Sequence, residues 1–444
     1  MDTTNNLTLQ NCNEALESVQ KKIQSGKDLH LAYNQLGAIY GLLKQYQKAE
    51  EYFNLAVKIK SDYAAPYLNL GIIYNDNADY VNSINCFEKA LRLENNNPII
   101  YYNYAVAMQE LGDINKAIEY YKKAIYLNPN HTDAHFNKGL LDLLIGNYTD
   151  GWKEYEDWGY ISGNRKKRQI RGLLWQGESY IGKTLYVYCD QGFGDSINYF
   201  RYLPYIKNLG GNLIFESPQK LYNLFENKNI YFDFLTTPEK TDSFTPDFNI
   251  PLTSIPALFY NKNIIVKTEF PYLTIKNNIN KYWDTFIEKT DKIKIGFLWK
   301  GNPYPPINQK RHAKLEDFYP LFDIPNTVWY SFLFEEDSEL QNISYSNIID
   351  LTKNINNFED TAAILDKMDI VITIDSGLAH LAGALNKKTL LMLPFVPDWR
   401  WNLNSEVTLL YPSFKLFRQN STKKWASVIE NIKKYLEAEL FKQN

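Results

Sequence analysis

Two short stretches hold residue types and spacings suited to chemistry. Gln191-Gly-Phe-Gly-Asp195 follows the apolar run Leu185–Cys189, and Asp375-Ser-Gly-Leu-Ala-His380 follows Ile372-Thr-Ile. In the first, Gly192 and Gly194 are expected to supply tight, positive-φ turns and close backbone approach, with Asp195 at the start of a helix. A carboxylate there has two readings. It caps the helix by accepting backbone N–H bonds, or it is a general base that takes a proton from an attacking hydroxyl. In the second stretch, the amides of a helix opening at Ser376 and Gly377 form an anion site that a nucleotide diphosphate fits, because aligned donors and partial positive charge coincide there. His380, one turn in, reaches a phosphate or ribose, or is a satisfied structural histidine. The chain has no Asp-x-Asp pair, so phosphate charge falls to backbone amides and cationic side chains, and no divalent-metal site is expected.

Each stretch needs a strand before it and a helix after it. The pattern supplies them: short β-rich runs at 184–189 and 212–216 alternate with helices at about 195–207 and 219–227. A second series runs through Ile293 to Lys300, then 328–333, 347–351, 369–374 and 389–393, and the stretch 240–290 between the two series is less regular. Such alternation predicts two parallel sheets wrapped by helices, with ligands at the carboxyl ends of the strands. Lys423 to Phe441 has the pattern of a final amphipathic helix. Trp399 and Trp401, either side of Arg400, line the cleft or form a packing corner.

The N-terminal third follows a different rule. Shifting the sequence by 34 residues aligns Tyr33, Tyr67, Tyr101 and His135, with Gly37, Gly71, Ala105 and Gly139 in a second column and Phe53, Phe87, Tyr121 and Tyr155 in a third. Small and aromatic columns at this period predict paired helices stacked into an array. Glu14 to Gln24 matches the second helix of a leading half-repeat, and Trp158, where earlier repeats have Ala56, Ala90 and Ala124, marks the end of the array and a docking point for the next domain. Gln35, Asn69, Asn103 and Asn137 share one column; their carboxamides form a ladder able to pair with an extended peptide backbone, or merely support the helix turns. Between array and sheets, 162–173 is a polar linker whose basic run Arg165–Arg168 is expected to be solvated.

Composition narrows the function classes. Lys and Arg total 48 against 51 Asp and Glu, a net charge of -3 that offers no broad attraction to nucleic acid. Three scattered cysteines, an N-terminus without basic and apolar signal regions, and the lack of an apolar run of about 18 residues lead us to expect a cytoplasmic protein with no transmembrane segment.

The repeat columns resemble the tetratricopeptide repeat family. Leu174-Trp-Gln-Gly-Glu, Asp190-Gln-Gly-Phe-Gly-Asp-Ser-Ile-Asn-Tyr-Phe-Arg-Tyr-Leu-Pro204, Gly296-Phe-Leu-Trp-Lys-Gly-Asn-Pro303, Asp375-Ser-Gly-Leu-Ala-His-Leu-Ala-Gly-Ala-Leu385 and Leu393-Pro-Phe-Val-Pro-Asp-Trp-Arg-Trp401, in that order, look like bacterial tetratricopeptide-repeat glycosyltransferases. The catalytic half is similar to glycosyltransferase family nine, the heptosyltransferase family. The resemblance implies an α plus α/β chain: a repeat array (1–161), a linker (162–173), and a GT-B pair of Rossmann-like lobes for acceptor (174–285) and nucleotide sugar (286–444), the last ending in a helix that crosses back over the lobes. It implies metal-independent, inverting transfer without a cofactor to a protein or glycan hydroxyl, with the array presenting the acceptor. By motif, Asp195 becomes the general base, Asp375, Ser376, Gly377 and His380 the diphosphate turn, and Lys300, Asn302 and Arg311 further nucleotide-sugar contacts. Where the family often has a basic, asparagine-rich stretch, this chain has Pro303-Tyr-Pro-Pro-Ile-Asn-Gln-Lys-Arg-His312, in which Arg311 retains a cation. A non-catalytic scaffold that binds nucleotide sugar, or a nucleotide-sugar hydrolase, are the alternatives on the same fold.

Overall fold

A computed structural model of the chain describes residues 3–165, 168–287, 289–302, 310–333 and 338–440. The chain forms two compact units, Met1–Asp142 and Leu143–Asn444.

The first unit is helical: α1 (Thr3–Gln24), α2 (Leu29–Leu42), α3 (Tyr46–Ile59), α4 (Ala64–Asp76), α5 (Tyr80–Leu93), α6 (Pro98–Glu110), α7 (Ile114–Leu127) and most of α8 (Thr132–Leu144). Helices α2 to α7 pack as successive antiparallel pairs. The repeat columns explain the pairing. A Cβ at Gly37 would stand 2.7 Å from the Phe53 ring and one at Gly71 only 2.3 Å from Phe87, so the glycine column gives the aromatic column its room. Asp79 and Asp113 cap α5 and α7 by accepting from the amides of Asn82 and Lys116. The leading helix is longer than the expected half-repeat, beginning at Thr3 instead of near Glu14.

In the second unit, α9 (Tyr148–Gly159) is followed by β1 (Leu173–Leu174), β2 (Thr184–Tyr188), α10 (Phe193–Tyr199), α11 (Leu203–Lys207), β3 (Asn212–Glu216), α12 (Tyr222–Glu226), β4 (Phe234–Thr236), β5 (Phe248–Pro251) and α13 (Ile255–Asn261). The chain continues through α14 (Asn277–Trp283), β6 (Ile293–Leu298), α15 (Tyr319–Phe322), β7 (Thr327–Ser331), α16 (Ser338–Gln341), β8 (Ile348–Asp350), α17 (Phe358–Asp366), β9 (Ile370–Ile374), α18 (Gly377–Ala384), β10 (Thr389–Leu393), β11 (Phe414–Arg418) and α19 (Ala426–Leu440). These strands form two parallel sheets, ordered β1-β5-β2-β3-β4 and β11-β10-β9-β6-β7-β8. Helices cover both faces, so β2, β9 and β10 are buried apolar runs without alternation. One continuous apolar core joins the two sheets.

Several expectations change. Helix α9, placed by its sequence in the array, belongs to the second unit: Trp152 meets Trp399 edge-on at 5.1 Å and Thr149 bonds the Tyr260 hydroxyl at 3.1 Å. The unit boundary therefore falls near Asp142, ahead of the expected 161. The basic linker is not solvated at its ends. Arg165 is buried, with Nη1 on Glu156 at 2.6 Å and Nη2 on Asp190 at 3.2 Å, and Arg168 forks onto the buried Glu216; Lys166 and Lys167 between them lie outside the described residues. β5, inside the stretch expected to be irregular, is an interior strand of the first sheet, between β1 and β2. Helix α19, expected to cross between lobes, packs on α15, β11 and residues 315–318, all on the second sheet's side.

Candidate functional site

Because β2 and β9 are both parallel strands, the loops that follow them leave at carboxyl edges, and the helices they open, α10 and α18, pack face to face. Gly194 makes this contact. Gly192 has φ -63° and Gly194 lies inside α10, so neither takes the positive φ expected from the sequence. A Cβ at Gly194 would instead meet His380 Cδ2 at 2.9 Å and the Gly377 Cα at 3.4 Å. Gly194 therefore serves the close approach of two helices, which a side chain there would hold apart, whereas a Cβ at Gly192 would meet only Asp195 Oδ2 at 3.7 Å.

Asp195 sits in the first turn of α10, which begins at Phe193 with Gly192 at the N-cap position. The capping reading is therefore overturned. Its Oδ1 accepts from Arg400 Nη2 at 2.6 Å, while Arg400 also donates to the Tyr199 hydroxyl at 3.0 Å and, through Nη1, to Asp398 at 2.8 Å. The Asp195 side chain keeps 27% of its surface, enough for a hydroxyl to reach it. Desolvation pushes its pKa above the ordinary carboxylate value, against the opposing pull of Arg400. At Asp398 desolvation acts the same way, but the doubly bonded Arg400 outweighs it and holds that carboxyl below the usual range.

The second loop offers the anion site. Ser376 is extended at the N-cap of α18 and its hydroxyl makes no bond to the first-turn amides. Arg311 Nη1 lies 3.3 Å from Asp375 Oδ2, placing a cation beside the helix opening. Lys300, just past β6, contacts Glu339 at 3.3 Å, and Gly301 N–H donates to His312 Nε2 at 3.2 Å. Burial, with Arg311 and Lys300 nearby, lowers the pKa of His312 and keeps its ring neutral, so the positive potential at the carboxyl edge of β6 comes from Lys300 and Arg311. Asn302 is exposed next to them, whereas residues 303–309 of the divergent stretch lie outside the described residues.

His380 departs from its expected role. It is 5% exposed, its Nδ1 pairs with the Tyr411 hydroxyl at 2.9 Å, and its ring stacks on Trp401 at 5.5 Å. Burial, helped by Arg400 and Arg201, lowers its pKa to about 3, so it is a neutral packing group at the α10–α18 contact and supplies no charge to a phosphate. Between pH 6.5 and about 3 the unfolded imidazole binds a proton that the native one refuses, so acidification through this window lowers stability. His380→Gln is expected to flatten that loss, measured as urea midpoints across the window; an unchanged slope would contradict the assignment.

From the sequence, the tryptophans beside Arg400 stood open between cleft and packing corner, Asp398 and Tyr199 had no assigned role, and Arg165 was expected to be solvated. The Asp-Trp-Arg-Trp string was visible, but its link to Asp195 joins residues that follow strands of different sheets. In the array, the carboxamides are engaged internally: Asn69 donates to Asn34 at 3.0 Å, Asn103 to its own helix at Ile99 O, Asn137 to Tyr102, and Gln35 accepts from Lys22. A surface depression of about 640 Å³, lined in part by Asp284, Lys294 and Lys367, lies at the amino end of β6, the wrong edge for a ligand crevice. Among the described residues there is no metal-holding cluster of three or more His, Cys, Asp or Glu, and no helix long and apolar enough to cross a membrane.

Different parts of the chain match different families of known proteins. Tetratricopeptide repeat profiles match residues 30–63, 64–97 and 98–131, and the profile of glycosyltransferase family 9 (heptosyltransferase) matches 352–392, which spans β9 and α18. Protein FlbA of Caulobacter vibrioides is 24% identical over 312 residues, 62% of this chain; the chain spans half of that relative's length. A glycosyl transferase family 9 structure from Veillonella parvula superposes with a TM-score of 0.46 at 13% identity, covering 60% of this chain and all of that one. YrrB, a tetratricopeptide repeat protein with an unusual peptide-binding site, gives a TM-score of 0.31 at 23% identity, over 34% of this chain and 77% of that one. The chain thus joins tetratricopeptide repeats to a parallel α/β unit bearing glycosyltransferase family 9 sequence, a similarity that points to sugar transfer.

Proposed function

We propose that the protein is a GT-B glycosyltransferase that moves a sugar from a nucleotide sugar to a protein or glycan hydroxyl, with inversion and without a metal, in the cytoplasm. The observation that carries the reading is the meeting of Asp195, on the first sheet's helix, with the cation-flanked opening of α18 on the second. In this reading the acceptor hydroxyl approaches from the side of Asp195, whose carboxylate takes its proton as oxygen bonds to the anomeric carbon. The diphosphate departs toward the α18 amides, Arg311 and Lys300, where its growing charge is stabilised. A base and an anion site on opposite sides of one carbon suit a single displacement. The array presents a protein acceptor, with the Gln35, Asn69, Asn103 and Asn137 column exchanging internal bonds for peptide bonds.

Thermal unfolding with a panel of nucleoside diphosphates and nucleotide sugars, without added metal, tests the reading. A ligand at about 100 times its dissociation constant stabilises the native state by roughly 2.7 kcal/mol. A selective upward shift with one base identifies the donor; no shift with any member sinks the transferase reading.

A further inference from the structure

Arg400 holds the two halves of the site together, and its chemistry goes beyond packing. The turn Trp399–Trp401 follows β10, which lies beside β9 in the sheet, so Arg400 emerges next to the loop that opens α18. From there its guanidinium reaches Asp195 and Tyr199 on the other lobe and Asp398 on its own. Its side chain is 11% exposed, flattened on the Trp399 ring at 4.6 Å, and its Nε is buried with no hydrogen-bond partner among the described residues. A buried donor without a partner is costly unless some state of the molecule satisfies it.

The charge balance of transfer supplies such a state. As the acceptor O–H bond breaks, its proton goes to Asp195 and its electron pair forms the new C–O bond. The bond between the anomeric carbon and the diphosphate oxygen breaks with its pair remaining on oxygen. One negative charge has then moved from Asp195 to the diphosphate, within the reach of a single guanidinium. Asp398 remains bonded to Arg400 throughout and keeps it oriented. We propose that Arg400 exchanges ion-pair partners during the reaction, holding the Asp195 carboxylate before transfer and the leaving diphosphate after it. This rests on the transferase reading and adds a residue that the diphosphate turn alone does not include. Before reaction, Asp195 competes with the diphosphate for the same cation, which links product affinity to the protonation of the base.

The competition can be measured without knowing the acceptor. Uridine, guanosine, adenosine, cytidine and thymidine diphosphates are titrated calorimetrically into the full chain, and the tightest binder is carried forward. Asp195→Asn removes the competing charge while keeping an acceptor oxygen, and is expected to tighten diphosphate binding by about fivefold or more; Arg400→Ala weakens it by about tenfold or more, within the coupling measured for close ion pairs. In the double variant the gain from Asp195→Asn disappears. Binding by Asp195→Asn no tighter than wild type overturns the exchange, as does an equal gain in the Arg400→Ala background, while wild-type binding leaves the transferase reading standing. Absence of binding by wild type sinks both. The comparison of wild type with Asp195→Asn decides the matter even where Arg400→Ala does not fold.

Discussion

Asp195→Asn is expected to lower the rate of sugar transfer by about 10²–10⁴-fold, the range general-base catalysis supplies. The substitution keeps the size of the side chain and an acceptor for Arg400 but leaves no basic oxygen to take the hydroxyl proton. It should spare the fold, because α10 is not capped by this carboxylate: Gly192 holds the cap position and Asp195 stands inside the first turn. Release of nucleoside diphosphate with acceptor present is the measurement, alongside the thermal midpoint of the variant. Undiminished turnover in a stably folded variant would falsify the base assignment and shift attention to water-mediated proton loss.

Arg165→Met is expected to destabilise the second unit by about 3–5 kcal/mol, the usual cost of leaving a buried carboxylate without its cation. Arg165 lies between the rings of Tyr155 and Tyr160 at 4.7 and 4.3 Å and donates to Glu156, Asp190, Thr253 and Ser254. The Asp190 side chain is fully buried, and the residue begins the loop that carries Gly194 to α18. Methionine fills much of the space and offers no charge. All 9 tryptophans lie at or beyond Trp152, so intrinsic fluorescence in a urea titration follows the second unit alone. A loss under about 1 kcal/mol would place Arg165 with surface ion pairs, against its burial.

Repeat period, strand pattern and the two loop-helix signatures were legible in the sequence because each rests on short-range rules: column spacing sets helix pairing, and runs of β-formers between helices set parallel strands. β5 escaped because Phe248–Pro251 is four residues long, and β11 because Phe414–Arg418 carries charges on an edge. Helix α9 illustrates a stronger limit. Its Tyr155 fits the aromatic repeat column, yet Glu156 is bound to Arg165 and Ser254, and those partners draw it into the second unit.

Residue types and spacing were enough to give the two kinds of architecture, their order, and the candidates Asp195 and Ser376–Gly377, since helix dipoles, glycine turns and apolar periodicity act over a few residues. Tertiary structure alone decided which charges meet. Arg400 and Asp195 are joined at 2.6 Å, Gly194 is needed because His380 and Gly377 lie against it, and His380 is neutral because Tyr411 and Trp401 enclose it. The strength of a charge depends on burial and partners across hundreds of residues of chain, and no local pattern encodes either.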